Sequence, residues 1–131
     1  MEHFIIEQRS RFDINKTVET ILQAAGEKGW SNPATHDLQQ SLAKSGKYVK
    51  PVKVIEICKP EYSGKMLELN HERIMSVMMP CRISVYVKND GKTYIALLNS
   101  AMMTQGLSEP IAKAMQEAFN ESMEIVEAVL G

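Results

Sequence analysis

The chain has 131 residues, of which 44% are hydrophobic and 24% charged, with a formal net charge of −1. The length suits a single domain, residues 1–131, that can bury a core without disulfides. The small net charge excludes an overall field that would attract nucleic acid or an anionic membrane. No apolar run approaches a membrane span, and the first residues lack the features of a signal peptide. We therefore expect a cytoplasmic protein that binds neither nucleic acid nor membrane.

The first part of the chain predicts a strand and then a helix. Residues 3–11 are read as the strand, with Phe4 and Ile6 on one face. Asp13 is a suitable N-cap, and Gly29 suits the residue just past a helix end. Between them, apolar residues recur at helical spacing and form one stripe: Ile14, Val18, Ile21, Leu22 and Ala25.

The next stretch predicts an edge segment and a short helix. Residues 30–35 are read as extended, and Pro33 confines them to a sheet edge or a loop. Asp37 can cap a helix that follows, with Leu38 and Leu42 turned toward the interior. We interpret Trp30 as a core residue rather than a stacking platform.

Residues 52–58 predict a strand in the middle of a sheet, because both of its faces are largely apolar. Residues 61–70 predict a helix, whose stability Gly64 lowers. Residues 71–79 fit no single element, and Pro80 ends whatever precedes it.

The strongest local pattern is a β-hairpin between residues 82 and 98. Asp90-Gly91 separates two runs rich in β-forming residues, and this dipeptide is typical of a tight hairpin turn. In the first run Ile83 and Val85 share one face while Arg82 lies on the other. One face of this strand is therefore expected to be buried and the other partly wet.

A long helix is predicted at about residues 108–130, with Ser108 as its cap and Pro110 in its first turn. The order strand, helix, strand, hairpin, helix is that of an α+β fold, with an antiparallel sheet covered on one side.

Three stretches together are similar to the domain of unknown function 302 family: 54–60 (VIEICKP), 79–86 (MPCRISVY) and 90–94 (DGKTY). The resemblance covers about residues 15–105 and lies in motif order and spacing. It implies a curved antiparallel sheet with two main helices, of the TATA-binding-protein-like type, and usually a homodimer. It implies no established activity, and the fold name does not imply DNA binding.

The chain departs from the family pattern at both landmarks. Cys58 and Lys59 stand where the family usually has glycine and asparagine, and Cys81 stands where an aliphatic residue is usual. Each of the two landmarks therefore carries one cysteine.

The two cysteines suggest a site at one end of the sheet. Cys58 ends one predicted strand and Cys81 begins another, so in adjacent antiparallel strands the two sulfurs would lie close together. His36, Met78 and Met79 can reach the same end. Thiolate, thioether and imidazole ligands together suit Cu, Zn or haem iron. The alternatives for the cysteines are plain core packing and a structural disulfide.

Arg82 is the other candidate site residue. It points away from the buried face of its strand and can bind an anion, although an ion pair with Glu56 on the neighbouring strand is the favoured interpretation.

Three functions remain open. The first is a homodimeric module that binds a small ligand or a soft metal or haem near Cys58, Cys81 and His36. The second is a thiol-redox or sulfur-carrying protein, in which Arg82 or Lys59 lowers a thiol pKa. The third is an assembly protein without a site, whose dimer would bury Met102, Met103 and Met115. No constellation of residues supports a hydrolase or transferase, which favours a protein that is not an enzyme.

Overall fold

The computed structural model describes residues 4–131. Two 3₁₀ segments, His71–Met78 and Ser100–Met103, lie between the strands and helices. The strands and helices, in chain order, are β1 (Ile5–Arg9), α1 (Ile14–Glu27), β2 (Thr35–Asp37), α2 (Leu38–Ala43), β3 (Val52–Ile57), α3 (Pro60–Leu67), β4 (Cys81–Val87), β5 (Thr93–Leu98) and α4 (Glu109–Glu127).

The strands form one antiparallel sheet in the order β1-β5-β4-β3-β2. The α+β prediction is thus confirmed. The predicted hairpin is β4 and β5, and Gly91 in its turn has φ of 77°, a left-handed conformation that glycine adopts without steric cost. β3 lies between β4 and β2, as its two apolar faces predicted.

The main core lies between one face of the sheet and the helices α1 and α4. β4 contributes Ile83 and Val85, which are fully buried, as the alternation along this strand predicted. Ile21 of α1 and Ile125 of α4 are buried in the same cluster. Each such side chain contributes roughly 1.5–3 kcal/mol by its removal from water. Among residues 4–131, no helix of this cluster packs on the opposite face of the sheet, which we call the open face.

The predicted caps are present, but the orientation predicted for α2 is wrong. The Asp13 carboxylate accepts a hydrogen bond from the backbone N–H of Lys16 at 2.8 Å, and Gly29 follows α1 with φ of 83°. Leu38 and Leu42, predicted to face inward, are exposed. α2 is a six-residue helix that follows the edge strand, and its apolar side is exposed.

Within residues 4–131 we find no helix with the combination of length and apolar character that a membrane crossing requires.

Candidate functional site

The strand register brings the two cysteines to the same end of adjacent strands. Cys81, the first residue of β4, lies opposite Ile57, the last residue of β3. Cys58 follows directly and forms a backbone bridge with Ser31. Both thiols are free. The neighbouring ends predicted from sequence are therefore observed, without a disulfide between them.

The environment of Cys81 favours the protonated thiol. Burial raises the pKa of Cys81, and the nearby Cys58 raises it further, because a second negative charge would be repelled. The Cys58 sulfur lies 3.8 Å from the hydroxyl oxygen of Ser63 in α3. The lowered thiol pKa that redox chemistry requires is thus not provided at Cys81.

The three predicted metal ligands are not brought together as a group. His36 lies in β2 opposite Val54, and its Nε2 is 3.0 Å from a carboxylate oxygen of Glu56. Among the residues that the structure describes, no three His, Cys, Asp or Glu side chains are placed to hold a metal ion. The imidazole of His36 instead has the carboxylate of Glu56 as its partner.

The favoured ion pair between Arg82 and Glu56 is not formed. The two residues lie opposite each other in the register, as predicted. Glu56 bonds instead to His36 from the strand on its other side. Within the described part of the chain, no carboxylate oxygen lies within 4.0 Å of the Arg82 guanidinium. The other possibility for Arg82, an anion contact, stays open.

Arg82 lines a cavity of about 420 Å³ at the end of β4 and β5. Open-face residues of the sheet contribute Val54, Ser84 and Leu98, and β1 contributes Ile5. Such a volume falls in the range of small-molecule sites, about 300–1,000 Å³.

The cavity continues past the rim of the sheet. The 3₁₀ segment and the residues after it supply Val77, Met78 and Pro80, and Cys81 also lines the space. Apart from a few serines, the lining is apolar, and Arg82 is the one charged side chain found in it among residues 4–131. An apolar space with one cation at its wall is suited to an apolar molecule that carries a negative group.

The family model described as Domain of unknown function DUF302 matches residues 6–129. The chain belongs to this family. The resemblance seen over residues 15–105 is confirmed and extends over nearly the whole chain. The description assigns no activity, so membership identifies the fold and its relatives and leaves the function open.

The DUF302 fold is also found in a solved structure. The crystal structure of uncharacterized conserved protein DUF302 from Bacillus stearothermophilus is similar with a TM-score of 0.86 and 18% identity, over 98% of this chain and 99% of that one. At this identity the likeness shows the fold alone. The comparison with curated proteins found no match.

A polar network beside the cysteines in this DUF302 chain was not predicted. Glu121 of α4 accepts hydrogen bonds from Trp30 Nε1 and Lys59 Nζ, both at 2.9 Å, and from the Tyr62 hydroxyl. Trp30 is buried, as predicted, but it also has this polar partner. Lys59, one of the two charges expected to lower a thiol pKa, is instead paired with Glu121.

Two effects act on the Glu121 carboxyl. Burial by itself raises the pKa of Glu121, but the hydrogen bonds from Tyr62, Lys59 and Trp30 together outweigh it and lower the pKa below its ordinary value. The sequence contained one signal of this network, because Glu121 places a charge between Ala118 and Ile125 on a mostly apolar stripe of α4.

A second, smaller core cluster lies at the cavity end of the molecule and consists mostly of methionines. We call it the methionine cluster. Met115 is buried there within its own chain, which makes it unsuitable for the subunit contact considered above. The members of the cluster are Met66, Met75, Met78, Met79, Met103, Leu107, Ile111 and Met115.

Proposed function

We propose that this DUF302 protein is a non-enzymatic binding module for a small apolar molecule with one anionic group, held in the cavity at the end of β4 and β5. The observation that carries the proposal is Arg82, a guanidinium that lines an apolar cavity without an ion pair to residues 4–131. A guanidinium binds carboxylate, sulfonate or phosphate oxygens through two parallel N–H bonds.

The neighbours of Arg82 also support this proposal. Its cross-strand neighbour Glu56, which would otherwise neutralise it, is engaged by His36 at 3.0 Å. Arg82 is exposed and lines the cavity, so a ligand anion can reach it without displacing an internal partner. Ser84 beside it adds a hydroxyl, while Val54 and Leu98 supply apolar walls.

The experiment is a calorimetric titration with decanoate, whose carboxylate and alkyl chain match the two parts of the cavity. Decanol, which has the same chain without the charge, is the matched control. The proposal predicts measurable binding of decanoate and weaker binding of decanol, since a charge-assisted bond adds about 1.5–3 kcal/mol. Equal affinities for the two, or no binding of either, would contradict it.

We also propose that the protein is a homodimer. The support is a group of large apolar side chains exposed at the cavity mouth: Val77 is 83% exposed, Ile5 62% and Leu98 40%. Exposed apolar patches of this kind mark interaction sites. A two-fold contact between copies of the open face would cover the same patch on both chains.

Sedimentation at micromolar concentration tests the dimer. The wild type should sediment as a dimer and Leu98→Lys as a monomer, because the substitution places a charge in the contact. Leu42→Lys is the control, since Leu42 is comparably exposed on α2, away from the patch. A monomeric wild type, or a Leu98→Lys variant that remains a dimer, would refute the proposal.

A further inference from the structure

Residues 68–80, which we call the strap, connect α3 to β4. Within the described chain, the hydrogen bonds of the strap join only residues between positions 64 and 79, and it forms no ion pair. Its centre is an eight-residue 3₁₀ helix, His71–Met78, which is longer than the usual three or four residues of this less favourable geometry. The strap therefore depends on side-chain packing for its position.

That packing is provided by thioethers. Met75, Met78 and Met79 of the strap contact the methionine cluster, where Met66 and Met115 are buried. Methionine packs adaptably, and its sulfur can be oxidised. The outward side chain of Ile74 does not fix the strap within the chain, because it is 73% exposed.

The strap is also a wall of the cavity. Val77, Met78 and Pro80 line the same space as the sheet residues Val54 and Ser84. Met78 thus belongs both to the methionine cluster and to the cavity wall. Any release of the strap from the cluster moves this wall.

We infer that Met75, Met78 and Met79 are sites of reversible oxidation that release the strap and open the cavity. Each thioether sulfur takes one oxygen atom from hydrogen peroxide and becomes a sulfoxide, and the peroxide is reduced to water. The three side chains are only partly buried, so peroxide can reach them. A sulfoxide is polar, and its burial among apolar neighbours without a hydrogen-bond donor is unfavourable.

Hydrogen exchange followed by mass spectrometry tests this inference, and it does so without any cavity ligand. Amides of residues 68–80 should exchange about tenfold faster after peroxide treatment, while those of β4 and β5 should not change. Methionine sulfoxide reductases with their thiol reductant should restore the original rate, whereas the reductant alone should not, which separates this effect from oxidation of Cys58 or Cys81. Unchanged exchange after mapped oxidation of the strap methionines would overturn the inference, as would a change that the reductases do not reverse.

Matched variants test whether the strap methionines are responsible for the faster exchange. Met75→Leu/Met78→Leu/Met79→Leu keeps the apolar volume but removes the oxidisable sulfurs, so peroxide should no longer change the exchange of the strap. Met123→Leu, in the main core cluster, should respond like the wild type. A triple variant that still responds would overturn the assignment. If the triple variant does not fold, the reversal by the reductases in the wild type decides the question alone.

Discussion

The indole nitrogen of Trp30 lies 2.9 Å from a carboxylate oxygen of Glu121, which joins the segment before β2 to the last helix. The same carboxylate accepts from Lys59 at 2.9 Å and from the Tyr62 hydroxyl, so three segments meet at one side chain. The Trp30 and Tyr62 rings lie beside each other, with centroids 5.9 Å apart.

Glu121→Ala should lower the free energy of unfolding by about 2 kcal/mol, because three partly buried donors lose their acceptor together. Denaturant unfolding measures the change. Glu124→Ala is the control, since Glu124 pairs with Lys28 at the surface and its loss should leave the unfolding midpoint unchanged. Equal effects of the two substitutions would contradict the role given to Glu121.

The same network predicts a dependence on pH. Because the pKa of Glu121 is lower in the folded chain than its ordinary value of 4.5, this carboxylate stabilises the fold above that value. The contribution is lost as the pH falls from 4.5 through the lowered folded pKa. The stability difference between wild type and Glu121→Ala should therefore shrink in acid, and a constant difference down to the acid transition would be inconsistent with the network.

Cys81 should be alkylated by iodoacetamide more slowly in the folded protein than in the denatured protein at pH 8. Its pKa is raised by burial and by Cys58, so the reactive thiolate is scarce. Peptide mapping of the labelled thiol over time measures the rate. Labelling in the folded state as fast as in the denatured state would revive the thiol-redox alternative.

Two glycine substitutions should have opposite effects. Gly91→Ala should destabilise the hairpin by about 1–2 kcal/mol, since φ of 77° is unfavourable for alanine. Gly64→Ala in α3 should stabilise the protein by about 0.5–1 kcal/mol, because an added Cβ meets nothing within 4 Å. Thermal unfolding of both variants checks the pair, and a Gly91→Ala variant that is unchanged or stabilised would be evidence against the turn assignment.

Local patterns were sufficient to predict most of the fold. Asp90-Gly91 between two β-rich runs predicted β4 and β5, and Asp13 predicted the start of α1. These signals are local, because a turn or a cap is determined by a few adjacent residues. The inward orientation predicted for Leu38 and Leu42 failed because burial depends on which layer lies alongside, and a helical pattern does not contain that information.

The site was less predictable because it depends on strand order. The neighbouring ends that carry Cys58 and Cys81 followed from an assumed antiparallel pair. The partner of Glu56 could not be predicted in this way, because β2 places His36 on one side of Glu56 and β4 places Arg82 on the other. The cavity joins residues from β1, β3, β4, β5, α4 and the strap, which no sequence pattern connects.

The most direct test of the central claim is the affinity of decanoate for Arg82→Gln, measured by calorimetry against the wild type. Arg9→Gln is the control, because Arg9 lies on β1 at the other end of the sheet, outside this cavity. The account predicts that Arg82→Gln weakens binding by about tenfold or more and that Arg9→Gln leaves it unchanged. Wild-type affinity in Arg82→Gln, or equal losses in both variants, would contradict it.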